Sequence, residues 1–255
     1  MGEMIARFTS SYYFSQHRMS SGFDFCEEIT QAIRGRSETW NFIRGFTSHW
    51  VTPLQEGDGY SETELSAAEE RLAISLPDAL EEAYTLFGRR SDLTRNREYL
   101  LEPTALSLNH GALIFRRENQ GASMWGILIS DLHNPDPPVY HCSCVVDDIM
   151  GDWGIWLARF SLACVDLILW ESLYDPTMAT ESCEVDDEGL HLVGQLYSEL
   201  PSFEGLDSYT PFGVRWFTGT DLLLCDTGMD LSVRARNSEA LCSIRNNLSG
   251  EWLNE

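Results

Sequence analysis

The sequence predicts an α+β fold built on antiparallel β-sheet. Three observations carry that expectation. Helical periodicity dominates the first ninety or so residues and gives way to strand-like runs after residue 112. Those strands come in two groups with hairpin-length links, which favours antiparallel pairing. No internal repeat and no alternating strand–helix pattern is present. The expected architecture is a set of N-terminal helices, about six strands in two runs, a buried helix between the runs, and a C-terminal helix.

The elements follow in order. Residues 1–20 are aromatic and serine-rich without a clear period, and Met19 is a candidate alternative start. The domain expectation is an N-terminal extension over residues 1–35 and a single domain over 36–255. A helix nonetheless begins within the extension, where Phe25, Ile29 and Ile33 recur every four residues and Gly35 is placed to end it in the left-handed conformation. Trp40, Ile43, Phe46 and Trp50 mark a second helix, ending before Pro53. Ser61 and Glu64 form a capping box, in which the hydroxyl takes a backbone N–H and the carboxylate returns to the cap. Leu65, Ala68 and Leu72 follow as an apolar stripe. Pro77 restarts a helix where its missing N–H costs nothing, and Gly88 closes it. Residues 112–117, 123–130 and 139–146 read as strands, 161–173 as a helix apolar nearly all round, and 190–200 as a short helix ended by Pro201. Residues 212–218, 221–225 and 231–235 are the second run of strands, and Asn237 or Ser238 caps a last helix bearing Leu241, Ile244 and Leu248.

At 255 residues and 43% hydrophobic composition the chain can bury a sizeable core without disulfide or metal staples. It carries 40 acidic residues against 17 basic ones, a net charge of −23. That balance argues against a phosphate backbone or an anionic membrane as partner, because both are held by cations. It favours a basic protein. Every basic residue is Arg, as a GC-rich bacterial coding sequence would give. Seven Cys, an odd number mostly within apolar runs, read as reduced thiols. With no signal-peptide layout and no apolar stretch near twenty residues, a cytoplasmic protein is expected.

The charge is unevenly spread. Residues 118–214 hold 17 acids and one base, Arg159. Within that stretch Asp147, Asp148, Asp152, Glu184, Asp186, Asp187, Glu188, Glu204 and Asp207 are the candidate partner-contact residues, with Glu181 to Glu188 read as one loop. Clustered charge costs self-repulsion that a Lys- or Arg-rich surface would relieve. A solvated acidic surface without a partner is the plainer account of the same residues.

Catalytic and metal-binding patterns are sparse. Residues 184–189 begin like a calcium loop, but Gln195 stands where the bidentate Glu belongs. His141, Cys142 and Cys144 offer ligands without a second pair, and a half-buried strand explains them more simply. The six His accompany no nucleophile, zinc-protease or phosphate-loop motif. The expectation is a protein that is not an enzyme and needs no cofactor. Glu118-Asn119-Gln120-Gly121, followed by Trp125, reads as a polar bracket fixing a tight strand-to-strand link.

Several of these residues, taken in order, resemble one family. Ala68-Glu69-Glu70-Arg71-Leu72, Leu76-Pro77-Asp78, Tyr84 and Gly88 are similar to the N-terminal signature of the SUKH superfamily, which includes a yeast cell-wall-synthesis regulator and many bacterial immunity proteins. Glu118-Asn119-Gln120-Gly121, Trp125-Gly126 and Asp136-Pro137-Pro138-Val139 resemble its later segment. Ala73 departs from the family pattern, which often has Gly there. The resemblance covers about residues 38–248 and implies an α+β fold and immunity against a polymorphic toxin, very often a nuclease. It supplies no catalytic or contact residues. The expected function is non-catalytic occlusion of a basic toxin, in a toxin–immunity pair. The alternative is a regulatory or scaffold interaction module of the same fold.

Overall fold

A computed structural model describes residues 23–145, 149–203 and 213–253. The chain is α+β, and the two runs of strands form two separate antiparallel sheets. Among the described residues five helices lead: α1 (Phe25–Ala32), α2 (Arg36–Trp50), α3 (Glu62–Leu72), α4 (Asp78–Phe87) and the single turn α5 (Ser91–Thr94). The first sheet holds β1 (Glu98–Leu100), β2 (Ser107–Asn109), β3 (Ala112–Glu118), β4 (Ser123–Leu128), β5 (Val139–Val145), β6 (Ile149–Met150) and β7 (Gly154–Leu157). Its order is β1-β3-β4-β5-β6, with β2 also on β3 and β7 also on β5. After α6 (Phe160–Leu173) comes the second sheet: β8 (Ala179–Glu184), β9 (Ser198–Glu199), β10 (Arg215–Gly219), β11 (Leu222–Asp226), β12 (Leu231–Ala235) and β13 (Glu251–Leu253). Its order is β13-β8-β12-β11-β10-β9. Helices α7 (Asp187–Leu196) and α8 (Ser238–Asn247) cover its outer face.

The sandwich explains why α6 is apolar all round. One core joins Leu113, Phe115, Trp125 and Ile127 of the first sheet to Leu223, Cys225 and Trp216 of the second, with α6 and the leading helices between them. A helix packed against partners on every side has no solvent face to leave polar. Phe25, Ile29 and Ala32 lie in this same core. The chain from Phe23 onward is therefore part of the body, and the extension expected to reach residue 35 is not a separate unit there. Residues 1–22 lie outside the described residues.

Gly35, expected as a left-handed helix stop, acts otherwise, while Gly88 closes α4 as expected. Gly35 is extended (φ −171°) and precedes α2 as its N-cap. Gly88 ends α4 in the right-handed region (φ −58°), and what requires glycine is space: a Cβ would sit 2.7 Å from the Tyr84 carbonyl oxygen. The left-handed helix stop is Ala73, at φ 54°. The capping box of Ser61 and Glu64 forms as the sequence implies, and the Ser61 N–H with the Arg89 guanidinium holds the Glu64 carboxyl down at about 2.

Two buried arginines tie the layers together. Arg116, 2% exposed, follows a β-bulge between Ile114 and Arg116 that turns it inward over the Trp125 ring. It pairs with Glu98 of β1 and, at 3.4 Å, with Asp166 of α6. Arg234 of β12, fully buried, donates to the carbonyls of Ser172 (2.9 Å) and Trp50 (2.8 Å) and pairs with Asp175. Those carbonyls belong to the C-terminal turns of α6 and α2, where a cation is favoured by both helix dipoles.

Candidate functional site

The acidic stretch of residues 118–214 looks different once folded, because much of its charge is engaged. Glu118 accepts the N–H groups of Gln120 (2.8 Å) and Ala122 (3.0 Å), closing the β3–β4 turn around Gly121. Asn119 and Gln120 stand exposed on that turn, and Trp125 is buried in the core behind it. Asp136 takes the N–H and hydroxyl of Ser161 at the start of α6 and lies 3.8 Å from Arg159. Glu171 accepts the N–H groups of Asn96, Arg97 (2.9 Å) and Glu98 (3.0 Å), anchoring the entry to the first sheet. Glu181 pairs with Arg245 of α8, and Glu199 takes both nitrogens of the Arg215 fork at 2.9 Å. Arginines from outside the stretch thus neutralise acids within it.

Four of the acids left without an arginine lie together at one end of the second sheet. Glu184, Asp186, Asp187 and Glu188 are all exposed, and no arginine pairs with any of them among the described residues. The expected loop over 181–188 is a correction: Glu181 and Glu184 lie on β8, inside the sheet, paired with β12 and β13. α7 also starts and stops earlier than its expected bounds of 190–200. Asp186 caps it by accepting the Gly189 N–H at 2.9 Å, and residues 198–199 have already become β9. Asp187 and Glu188, in the first turn, sit where a helix dipole favours negative charge.

Of the other candidate contact residues, Asp152 is exposed in the link between β6 and β7, on the other sheet. Asp147, Asp148, Glu204 and Asp207 lie outside the described residues. Two acids that the sequence pattern does not single out join the cluster. Glu251 of β13 stands directly opposite Glu184 of β8, and Asp230 immediately precedes the β12 residue paired with Cys183. Met229, 82% exposed, occupies the tip of the same β11–β12 hairpin. Only strand pairing brings these positions together, so no local pattern could have announced them.

The first sheet and α6 enclose a second polar group, in the core. His141 packs edge-on against Trp125 (5.1 Å between ring centroids) and lies 5.5 Å from Trp156. Burial, helped by the Arg116 charge, lowers its pKa to about 4. Burial raises the Asp166 carboxyl to about 6, against the opposing pull of Arg116. Both groups lie within the core: Asp166 is 1% exposed and His141 8%. The neighbouring Cys142 thiol contacts the Gly151 carbonyl at 3.0 Å. Among the described residues no group of three or more His, Cys, Asp or Glu is placed to hold a metal ion. No described helix is long and apolar enough to cross a membrane. No family model matches the chain, and no curated protein or solved structure does so either.

Proposed function

We propose that this protein is an immunity protein that binds a basic protein toxin, most simply a nuclease, and neutralises it by covering its cationic cleft. The observation that carries the reading is the exposed group Glu184, Asp186, Asp187 and Glu188, with Glu251 opposite, gathered at one end of a sheet with no arginine paired to any of them among the described residues. Such a surface draws in a cationic partner quickly and fixes its orientation without chemistry. The SUKH-like residues are compatible with this reading. The Glu69 carboxylate takes the Leu76 N–H at 2.8 Å, which locks the Leu76-Pro77 turn between α3 and α4. A cytoplasmic setting suits described cysteines that form no disulfide.

The test is capture of the protein encoded beside this one, followed by calorimetry over a salt series. Binding should weaken steeply as salt rises and should suppress the toxin's activity. The double reversal Asp187→Arg/Glu188→Arg, which spares the Asp186 cap, should slow association at least tenfold at low salt. Salt-independent affinity, or a fully active bound toxin, would refute the proposal.

A further inference from the structure

Among the described residues, the inner face of the second sheet is only partly roofed. α6 covers it from β10 to part of β12, where Trp216, Leu223 and Cys225 enter the main core and Arg234 reaches the Ser172 carbonyl. Toward β8 and β13, beyond the end of α6, the roof stops among the described residues. There β13, β8 and β12 place Leu253, Ser182 and Ser232 side by side in one cross-strand row, with Thr180 two residues further along β8 on the same face. Leu173, Tyr174, Pro176 and Met178, where the chain leaves α6, form the facing wall of a groove of about 370 Å³. That is the low end of ligand-site volumes, suited to one long side chain rather than to a bulky substrate.

The floor and rim of this groove have a definite chemistry. The Ser182 and Ser232 hydroxyls lie 3.5 Å apart, and Ser232 Oγ is 3.5 Å from Asp230 Oδ2. These are long contacts that leave acceptor capacity on both oxygens. The acids Glu184, Asp230 and Glu251 lie outside the groove's lining: by strand alternation Glu184 shares the face of Ser182 and Thr180 just beyond its end, and Glu251 is its in-register neighbour. Two carboxylates directly opposite one another repel, and Asp230 adds a third at the same strand ends. The nearby arginines do not relieve them. Arg245 pairs with Glu181, which itself borders the groove, and Arg234 is committed to Asp175 and two backbone carbonyls.

We propose that the groove seats the stem of a cationic side chain of the partner protein, an arginine or a lysine, whose charge emerges past Ser182 and Ser232 toward Asp230, Glu184 and Glu251 at the adjoining strand ends. The inference rests on the proposed function and names the anchor point within it. A single desolvated anchor in a pocket commonly carries much of an interface's affinity, and here it would also cancel the repulsion built into the β8–β13 pair.

The experiment titrates the full chain with a hexa-arginine peptide, with hexa-serine as control, following backbone amide resonances. Shifts should concentrate on residues 180–184, 230–232 and 251–253. Filling the groove with Ser182→Leu should weaken the peptide at least tenfold, as should the double variant Glu184→Gln/Glu251→Gln, which removes a repulsion and so keeps the test valid if Ser182→Leu misfolds. Shifts scattered over the whole acidic surface, or groove variants that bind as the parent does, would overturn the inference. The two proposals fail separately. A basic toxin held with strong salt dependence and full affinity by the groove variants would refute the groove alone. A neighbouring toxin that does not bind at all, with hexa-arginine still seated in the groove, would refute the function alone.

Discussion

Asp166 and His141 make opposite demands on pH across the same interval, and removing either should expose the other. The Asp166 carboxyl, ordinarily near 3.8, stands at about 6 in the folded protein because burial penalises its charge. The native state therefore holds this proton more tightly than the unfolded chain does. Its stabilising contribution is complete below pH 3.8 and is lost as pH rises through 6. A displacement of that size corresponds to on the order of 3 kcal/mol. The His141 imidazole, ordinarily near 6.5, stands at about 4. Its contribution is complete above pH 6.5 and is lost as pH falls toward 4, again by on the order of 3 kcal/mol. In the parent protein the two slopes nearly cancel between pH 4 and 6.5. Replacing His141 by Phe keeps an aromatic ring between Trp125 and Trp156 and removes one slope. Relative to the parent, that variant should gain about 3 kcal/mol of stability on acidification from pH 6.5 to 4. Asp166→Asn should lose a similar amount over the same interval, while Arg116 keeps its pairing with Glu98. The assay is urea unfolding at half-unit pH steps, read as the difference between variant and parent. Differences that stay flat with pH, for either variant, would refute the linkage.

Further outcomes follow from other parts of the structure. Ala73→Gly should stabilise the protein by about 1 kcal/mol, raising its thermal midpoint, because a Cβ makes the left-handed conformation at φ 54° unfavourable and glycine has none. Arg234→Met should destabilise by roughly 3–5 kcal/mol in chemical unfolding, since it strands the Trp50 and Ser172 carbonyls and leaves Asp175 a buried unpaired charge. Glu184→Gln should raise the stability of the free protein by about 0.2–1 kcal/mol, through loss of the repulsion with Glu251, while weakening binding of the partner. A variant that loses both stability and binding would show that Glu184 serves the fold.

The residues that the sequence made legible are those whose cause is local. The capping box at Ser61 and Glu64, the Pro77 start of α4, the Asn237 cap of α8 and the all-apolar face of α6 depend on neighbours a few positions away, and each stands close to where periodicity placed it. β8 was not legible. Its sequence, Ala-Thr-Glu-Ser-Cys-Glu, carries no apolar alternation, because its inner face lies partly in an open groove and its outer face commits Glu181 to Arg245. β1, β2 and β7 are three or four residues long and are held by pairing with β3 and β5, which no short window can register. Arg116 is a further case. Strand alternation sends it outward, and only the bulge at Ile114 returns it to the core.

The charge of residues 118–214 shows most clearly what folding adds to sequence. A count along the chain treats Glu118, Asp136, Glu171 and Asp175 as surface repulsion, whereas in the structure each closes a turn, anchors a helix or meets an arginine. Those acids serve the fold, and their removal would loosen it. Glu184 and Glu251 do the opposite: they face each other across a strand junction with no arginine on either among the described residues. Like charges so placed weaken the pairing that holds them, so the fold gains nothing from them. A cation arriving from outside turns that cost into affinity, and it does so at the mouth of a groove whose hydroxyl floor can accept its remaining hydrogen bonds. On this reasoning the diagnostic feature is the location of uncompensated charge beside an unroofed sheet face, and the net charge of −23 is largely its background.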